Sequence, residues 1–197
     1  MEIKMMIQST PNPNALKFVL NMPVRTTGRV TYKNAAQCQN NPMAAALFTI
    51  PSITEVYFFD NYVTLTQDGN VDWDQIEDQI KKIILEYAPD HDPDFQVQEE
   101  QKPQTAVSDD PEILKINAIL DNTIRPGLQM DGGDLQIVSL AGMTLTVSYH
   151  GACGSCPSST MGTLKAIEGI LRDQYNPEIS VQTEGGSPEE DGHGTAY

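Results

Sequence analysis

Cysteine is scarce in this chain, with three in 197 residues, at Cys38, Cys153 and Cys156. An odd number cannot be fully paired within one chain and nothing marks export, so the disulfide framework of a small secreted domain is excluded. Positive charge is scarce as well. Twelve Lys and Arg against 27 Asp and Glu leave a formal net charge of −15. That field repels polyphosphate, so nucleic acid is not expected as a partner. Acidity instead suits solubility and the steering of basic protein surfaces, within a Debye length of ~8 Å. Apolar runs long enough to cross a bilayer are missing, and no membrane role is expected. Met1 to Met6 shows neither a signal-peptide core nor an arginine-rich transit pattern. These absences lead to the expectation of a cytoplasmic, reducing location. There, two cysteines close in sequence serve metal or redox chemistry rather than a structural staple.

What is present divides the chain. The length suits one or two small domains. From Pro89 to Ser108 large apolar residues are few and no period is sustained, which reads as a flexible acidic linker. After Glu184, the run Gly185-Gly186-Ser187-Pro188-Glu189-Glu190-Asp191-Gly192 reads as a disordered acidic tail over 185–197. Two units remain, 1–88 and 109–184, each near the small end for independent folding.

In the first unit, strand patterns at Met5–Ser9 and Ala15–Leu20 flank the turn-rich Pro11-Asn12-Pro13-Asn14 and predict a hairpin. Asn41-Pro42 predicts a helix cap with proline at the first helical position, leading a short helix through Met43 to Phe48. Ile53–Phe59 and Tyr62–Thr66 predict a second hairpin about Asp60-Asn61. Asp72-x-x-Gln75 is a variant capping box, with Val71 and Ile76 placed as its hydrophobic staple. Ile76, Ile80, Ile83, Ile84 and Tyr87 then recur at helical spacing. Trp73 is expected to anchor packing. No nucleophile–His–carboxylate set and no glycine-rich phosphate loop occurs in this unit.

In the second unit Asp110-Pro111 caps a helix whose buried stripe is Ile113, Ile116, Leu120 and Ile124, and Pro126-Gly127 is expected to end it. Met130-Asp131-Gly132-Gly133-Asp134 predicts a turn. Leu135–Leu140 and Met143–Tyr149 alternate as strands about Ala141-Gly142. A helix then begins at Pro157, with Met161, Leu164, Ile167 and Leu171 on its apolar face. Asn176-Pro177 stops it before a short strand, Ile179 to Val181.

Cys153 and Cys156 fall at the junction between the second strand and that helix, in Gly151-Ala152-Cys153-Gly154-Ser155-Cys156-Pro157. Two thiols three positions apart can grip a soft metal or close a disulfide. Alone they cannot supply the four thiolates of a cubane cluster or a closed zinc site. With Pro157 as first helical residue, Cys156 is predicted at the N-cap, where free N–H groups and the helix dipole favour thiolate.

The run from Arg125 to Asp134 (Arg-Pro-Gly-Leu-Gln-Met-Asp-Gly-Gly-Asp), the run from Gly151 to Thr160, and the distance between them resemble the NifU-like C-terminal domain of iron–sulfur cluster scaffold and carrier proteins. The first unit is similar to that family's N-terminal domain, through Thr10–Phe18 and Pro51–Trp73. The resemblance implies an α+β fold, with two small α/β-sandwich-type domains. It implies a [4Fe–4S] cluster held between two protomers by Cys153 and Cys156 of each and passed to apo iron–sulfur enzymes, with upstream assembly proteins as donors. A [2Fe–2S] form would use the same four thiolates. The role is that of a carrier, not an enzyme, with the first unit serving recognition or docking. Cys38 and the tail inherit no role.

Two other functions compete. One is a thiol–disulfide oxidoreductase using Cys153 and Cys156, although thioredoxin-like proteins place that motif after a βαβ pattern rather than a hairpin. The other is a zinc-bridged structural dimer, for which His150 would be a third ligand. The plainer account makes His150 a strand-end residue on the surface. Asp131 and Asp134 are expected to cap or hydrogen-bond locally about Gly132-Gly133. The run Asp90 to Asp94 lacks the spacing of a calcium loop. Cys38 is expected to be inert.

Overall fold

The computed structural model describes residues 2–96, 110–153 and 157–184, with only the backbone described for 157–161. The first unit is a five-stranded antiparallel sheet made of β1 (Met5–Ser9), β2 (Ala15–Leu20), β3 (Arg29–Tyr32), β4 (Ile53–Phe59) and β5 (Tyr62–Gln67), in the order β1-β2-β5-β4-β3. Two helices accompany it, α1 (Pro42–Leu47) and α2 (Trp73–Tyr87). Both predicted hairpins form. Asp60 carries the tight β4–β5 turn at φ 46°, a left-handed conformation that short polar side chains tolerate. Asn41 caps α1 by accepting a hydrogen bond from the amide of Ala44 at 3.0 Å. At α2 the capping-box expectation fails, because Asp72 makes no side-chain cap hydrogen bond. The staple residues nevertheless pack, Ile76 being buried and Val71 partly so. Trp73 anchors the helix start as expected, donating from Nε1 to the carbonyl of Pro13 at 2.9 Å.

Strand β3 was not legible in the sequence. Its four residues follow the turn-rich stretch from Asn21 to Gly28, and only its pairing with β4 makes it a strand. By the period of two, Leu16, Phe18, Leu20, Val30, Tyr32, Val56, Phe58, Val63 and Leu65 share one core with Ile76, Ile80 and Ile84 of α2. The expected linker begins later than Pro89. Phe95 is 5% exposed in the first core, edge-on to Phe58 at 5.8 Å between ring centroids. His91 Nε2 meets the Val24 carbonyl at 2.8 Å. Residues 97–109 and the predicted tail lie outside the described residues.

The second unit contains α3 (Pro111–Thr123), α4 (Arg125–Met130), β6 (Gly133–Ala141), β7 (Thr144–Gly151), α5 (Pro157–Gln174) and β8 (Ser180–Thr183). Asp110 caps α3, accepting from the Glu112 amide at 2.9 Å. Pro126-Gly127 does not stop helical structure. Proline stands in the first turn of α4, where its missing N–H costs nothing, so the chain bends at Ile124 and starts a second short helix. β6 and β7 form the expected hairpin, with Gly142 at φ +61° in its turn. β8 adds parallel to β7. Ile113, Ile116, Leu120, Leu135, Ile137, Leu145, Val147, Ile167 and Leu171 form this unit's core. The fold is α+β in both units.

Candidate functional site

Cys153 stands just beyond the end of β7. Its side chain is of intermediate exposure and packs at the edge of the second core. Three things fix the segment that carries it. Gly133 pairs with Gly151 at the end of the β6–β7 ladder. The Ala152 amide donates to the carbonyl of Gly132 at 3.2 Å. Finally, the thiol lies against the bare Cα of Gly133: a Cβ added there would stand 2.6 Å from Cys153 Sγ and 2.7 Å from the His150 carbonyl. The glycine is therefore a packing requirement of the cysteine. Helix α5 begins at Pro157 as predicted. Cys156, its expected N-cap position and its geometry with Cys153 lie outside the described residues. Among the described residues, no group of three or more His, Cys, Asp or Glu side chains is placed to hold a metal ion.

Cys38 is 2% exposed in the first core, and burial pushes its thiol up to about 12. A thiol so held stays protonated and makes a poor ligand or nucleophile.

His150 and Asp134 depart from their sequence readings. His150 is not a surface strand end. Its Nδ1 lies 3.0 Å from Thr31 Oγ1 of the first unit. Burial, aided by the charges of Arg29 and Lys33, lowers its pKa to about 4, so the ring is neutral at physiological pH. Asp134 does accept locally, from the Leu135 amide at 2.7 Å. It also reaches across the molecule. At 1% side-chain exposure it pairs with Arg29 at 2.7 Å, and Arg125 Nε lies 3.6 Å away.

These contacts belong to an interface that sequence reasoning missed altogether. Lys17, Arg29, Thr31, Glu55, Tyr57, Tyr62 and Thr64 occupy strand positions opposite in parity to the core set, so all seven share the second face of the first sheet. This face is polar, and it is not left to solvent. Lys17 Nζ donates to the carbonyls of Gln129 and Met130, at 3.0 and 3.2 Å. Those are terminal carbonyls of α4, where a cation also meets the negative end of the helix dipole. The ammonium sits 4.1 Å from the Tyr62 ring centroid. Burial lowers its pKa, while Asp131 opposes the shift. Thr64 Oγ1 donates to the Gly132 carbonyl at 2.8 Å. Glu55 Oε1 accepts from the Gly151 amide at 2.9 Å. Asn12 Nδ2, from the β1–β2 turn, donates to the Ala152 carbonyl at 3.0 Å.

Two of these groups give the molecule a pH signature. Burial raises the Glu55 carboxyl to about 7 from 4.5. The folded protein thus binds more protons than the unfolded chain between those values, and this group's contribution to stability falls as pH rises through that window. His150 has the opposite sign. Its folded pKa of about 4 lies below the ordinary 6.5, so its contribution rises with pH across that range. The two slopes largely cancel where they overlap. We expect Glu55→Gln to unmask the histidine, giving a urea midpoint that climbs from pH 4.5 to 6.5 more steeply than in the parent chain. A parallel pair of midpoint–pH curves would contradict this assignment.

Comparison with known proteins bears on what the site is for. Residues 4–91 match the family described as scaffold protein Nfu/NifU N terminal, and residues 116–182 match the NifU-like domain. The chain is 30% identical over 188 residues to NifU-like protein 5, mitochondrial, of Arabidopsis thaliana, covering 93% of this chain and 68% of that one. It is 30% identical over 173 residues to the human protein named NFU1 iron-sulfur cluster scaffold homolog, mitochondrial, covering 87% and 68%. The solution structure of a NifU-like protein from Saccharomyces cerevisiae superposes with a TM-score of 0.43 at 22% identity, over 49% of this chain and 86% of that one. Both named relatives are mitochondrial proteins, which overturns the expectation of a cytoplasmic one. Scarcity of cysteine does not distinguish between compartments that share a reducing environment. With both of its units matched in order, the chain belongs to the Nfu/NifU family of iron–sulfur cluster scaffold proteins.

Proposed function

We propose that two copies of this chain hold one [4Fe–4S] cluster through Cys153 and Cys156 of each, and pass it to apo iron–sulfur proteins. The observation that carries this reading is the half-site. A partly exposed cysteine stands at the end of β7, a second follows three positions later in sequence, and Cys38 is sealed in the opposite core. One chain thus offers two sulfur donors where a cubane needs four, and a two-fold axis through the loop supplies the rest.

The cluster is cargo. An acceptor's cysteines replace the carrier's thiolates one at a time. Each incoming thiol gives up a proton as it binds iron, and each departing sulfur takes one up. The two copies separate as the cluster leaves. No bond in a small substrate is made or broken, so the protein acts as a carrier and not as an enzyme. The second unit bears the cargo, and the first, which extends through Phe95, recognises clients. Upstream assembly proteins supply the cluster.

Anaerobic reconstitution with iron and sulfide tests the reading. We expect about four irons and four sulfides per two chains, a Mössbauer spectrum of a [4Fe–4S] centre, and a particle mass that doubles on loading. A complete cubane on a single chain, with no added thiol, would refute it.

A further inference from the structure

The second face of the first sheet bears on the cargo site itself. Four of its hydrogen bonds end on main-chain atoms of the second unit, the carbonyls of Gln129, Met130 and Gly132 and the amide of Gly151. Asn12 of the β1–β2 turn adds a fifth, to the carbonyl of Ala152. Bonds to backbone fix the path of a chain rather than the pose of one side chain. Here they grip the two segments that meet at Cys153. The Gly132 carbonyl joins them, because it accepts from Thr64 of the first unit and from the Ala152 amide.

The glycines of the second unit fit this clamp. A Cβ on Gly132 would lie 3.0 Å from Thr64 Oγ1 and 3.3 Å from Lys17 Cδ, and one on Gly151 would lie 3.1 Å from Tyr57 Cδ1. Both glycines also have positive φ, +81° and +65°. The run Gly132-Gly133 is therefore shaped on one side for the sheet of the other unit and on the other for the cysteine. The Arg29–Asp134 pair locks the rim.

We propose that the N-terminal unit is a working part of the cluster site. Glu55 and Asn12 hold the Gly151–Cys153 segment directly, Thr64 and Lys17 hold the 129–132 segment beside it, and all four are positioning residues for the ligand-presenting form. This deepens the carrier reading and rests on it. Opening of the clamp frees Cys153 to give up its iron to an incoming thiolate, taking up a proton as it departs, so the same contacts that set loading also set the rate of release.

The test uses the full chain. In the apo form we expect Glu55→Ala to raise the rate of Cys153 alkylation by iodoacetamide about fivefold, the factor expected for loss of one buried hydrogen bond. Cys38, buried and protonated, serves as the unreactive control whose alkylation would report unfolding. Amide exchange at Gly151 should accelerate in parallel. In the loaded form, cluster loss to a ferrous chelator should speed by a similar factor. Glu55→Gln keeps a carbonyl oxygen for the Gly151 amide and should restore both rates. Thr64→Val, which loses only the hydroxyl, provides a second variant should Glu55→Ala fold poorly. Alkylation and release unchanged in both Glu55→Ala and Thr64→Val would overturn the proposal. A parent chain that takes up no cluster would instead sink the carrier reading, and the alkylation rates alone would then decide whether Cys153 is positioned from the first unit.

Discussion

Cys153→Ser is expected to leave the protein folded and without a cluster. A serine hydroxyl stays protonated at neutral pH and is a hard oxygen donor, whereas iron in thiolate clusters depends on soft, anionic sulfur. With one ligand lost per chain, a bridged centre loses two of four, so iron and sulfide content should fall to background rather than by half. The cluster-dependent dimer should vanish with it, read as a single slow species in sedimentation velocity after attempted reconstitution. Fold should survive, because Cys153 lies at the edge of its core and is only partly buried. Cys156→Ser should behave alike. Cys38→Ser inverts the pattern. Its sulfur is sealed in the first core, 3.4 Å from the Asn34 carbonyl. A buried hydroxyl should cost about 1 kcal/mol of stability and leave loading intact. Loss of the cluster from the Cys38 variant would show that the ligands have been misassigned.

The contrast among the three cysteines shows what the sequence could and could not deliver. Caps and periodicity marked α1, α2, α3 and α5 and four of the five strands of the first sheet, because each buries one apolar stripe or face against a core. Helix α4 instead reads in the sequence as a helix stop. The strand at Arg29–Tyr32 escaped, since four residues after a turn-rich stretch carry too little alternation to stand out. The cysteine motif marked the candidate site through its own chemistry. The interface was invisible for a different reason. Lys17, Arg29, Thr31, Glu55 and Thr64 alternate with core residues as solvent-facing side chains do, and alternation records which residues share a face, not what covers it. Tyr57 and Tyr62 on the same face were the available signal. Two large aromatics among charges are costly to leave in water, and both phenols are shifted upward by burial. Asp134 was misread as purely local for the same reason, since its principal partner lies 105 positions away in sequence.

Gly133→Ala should be among the most damaging single-atom additions in the second unit. The new methyl would stand 2.6 Å from Cys153 Sγ, 2.7 Å from the His150 carbonyl and 2.9 Å from the Cys153 amide. Two of those three atoms are backbone and cannot swing aside as a side-chain tip would. Relief requires either parting the Gly133–Gly151 end of the hairpin or pushing the cysteine segment outward. Overpacking of this kind costs about 1–3 kcal/mol, and opposition by main chain places the cost near the top of that range. For a unit of this size, its melting temperature should drop by on the order of 10 °C or more. Gly142→Ala supplies the comparison. It lies in the same hairpin at φ +61° with nothing within 4 Å of its added methyl, so only backbone strain of about 1 kcal/mol applies. Both variants strain the β6–β7 hairpin, but Gly133→Ala alone displaces the thiol. It should therefore lose cluster loading out of proportion to its loss of stability, measured as iron bound per folded chain well below the melting transition. Equal loading in the two variants would mean that the close approach of Gly133 to Cys153 is packing without consequence for the site.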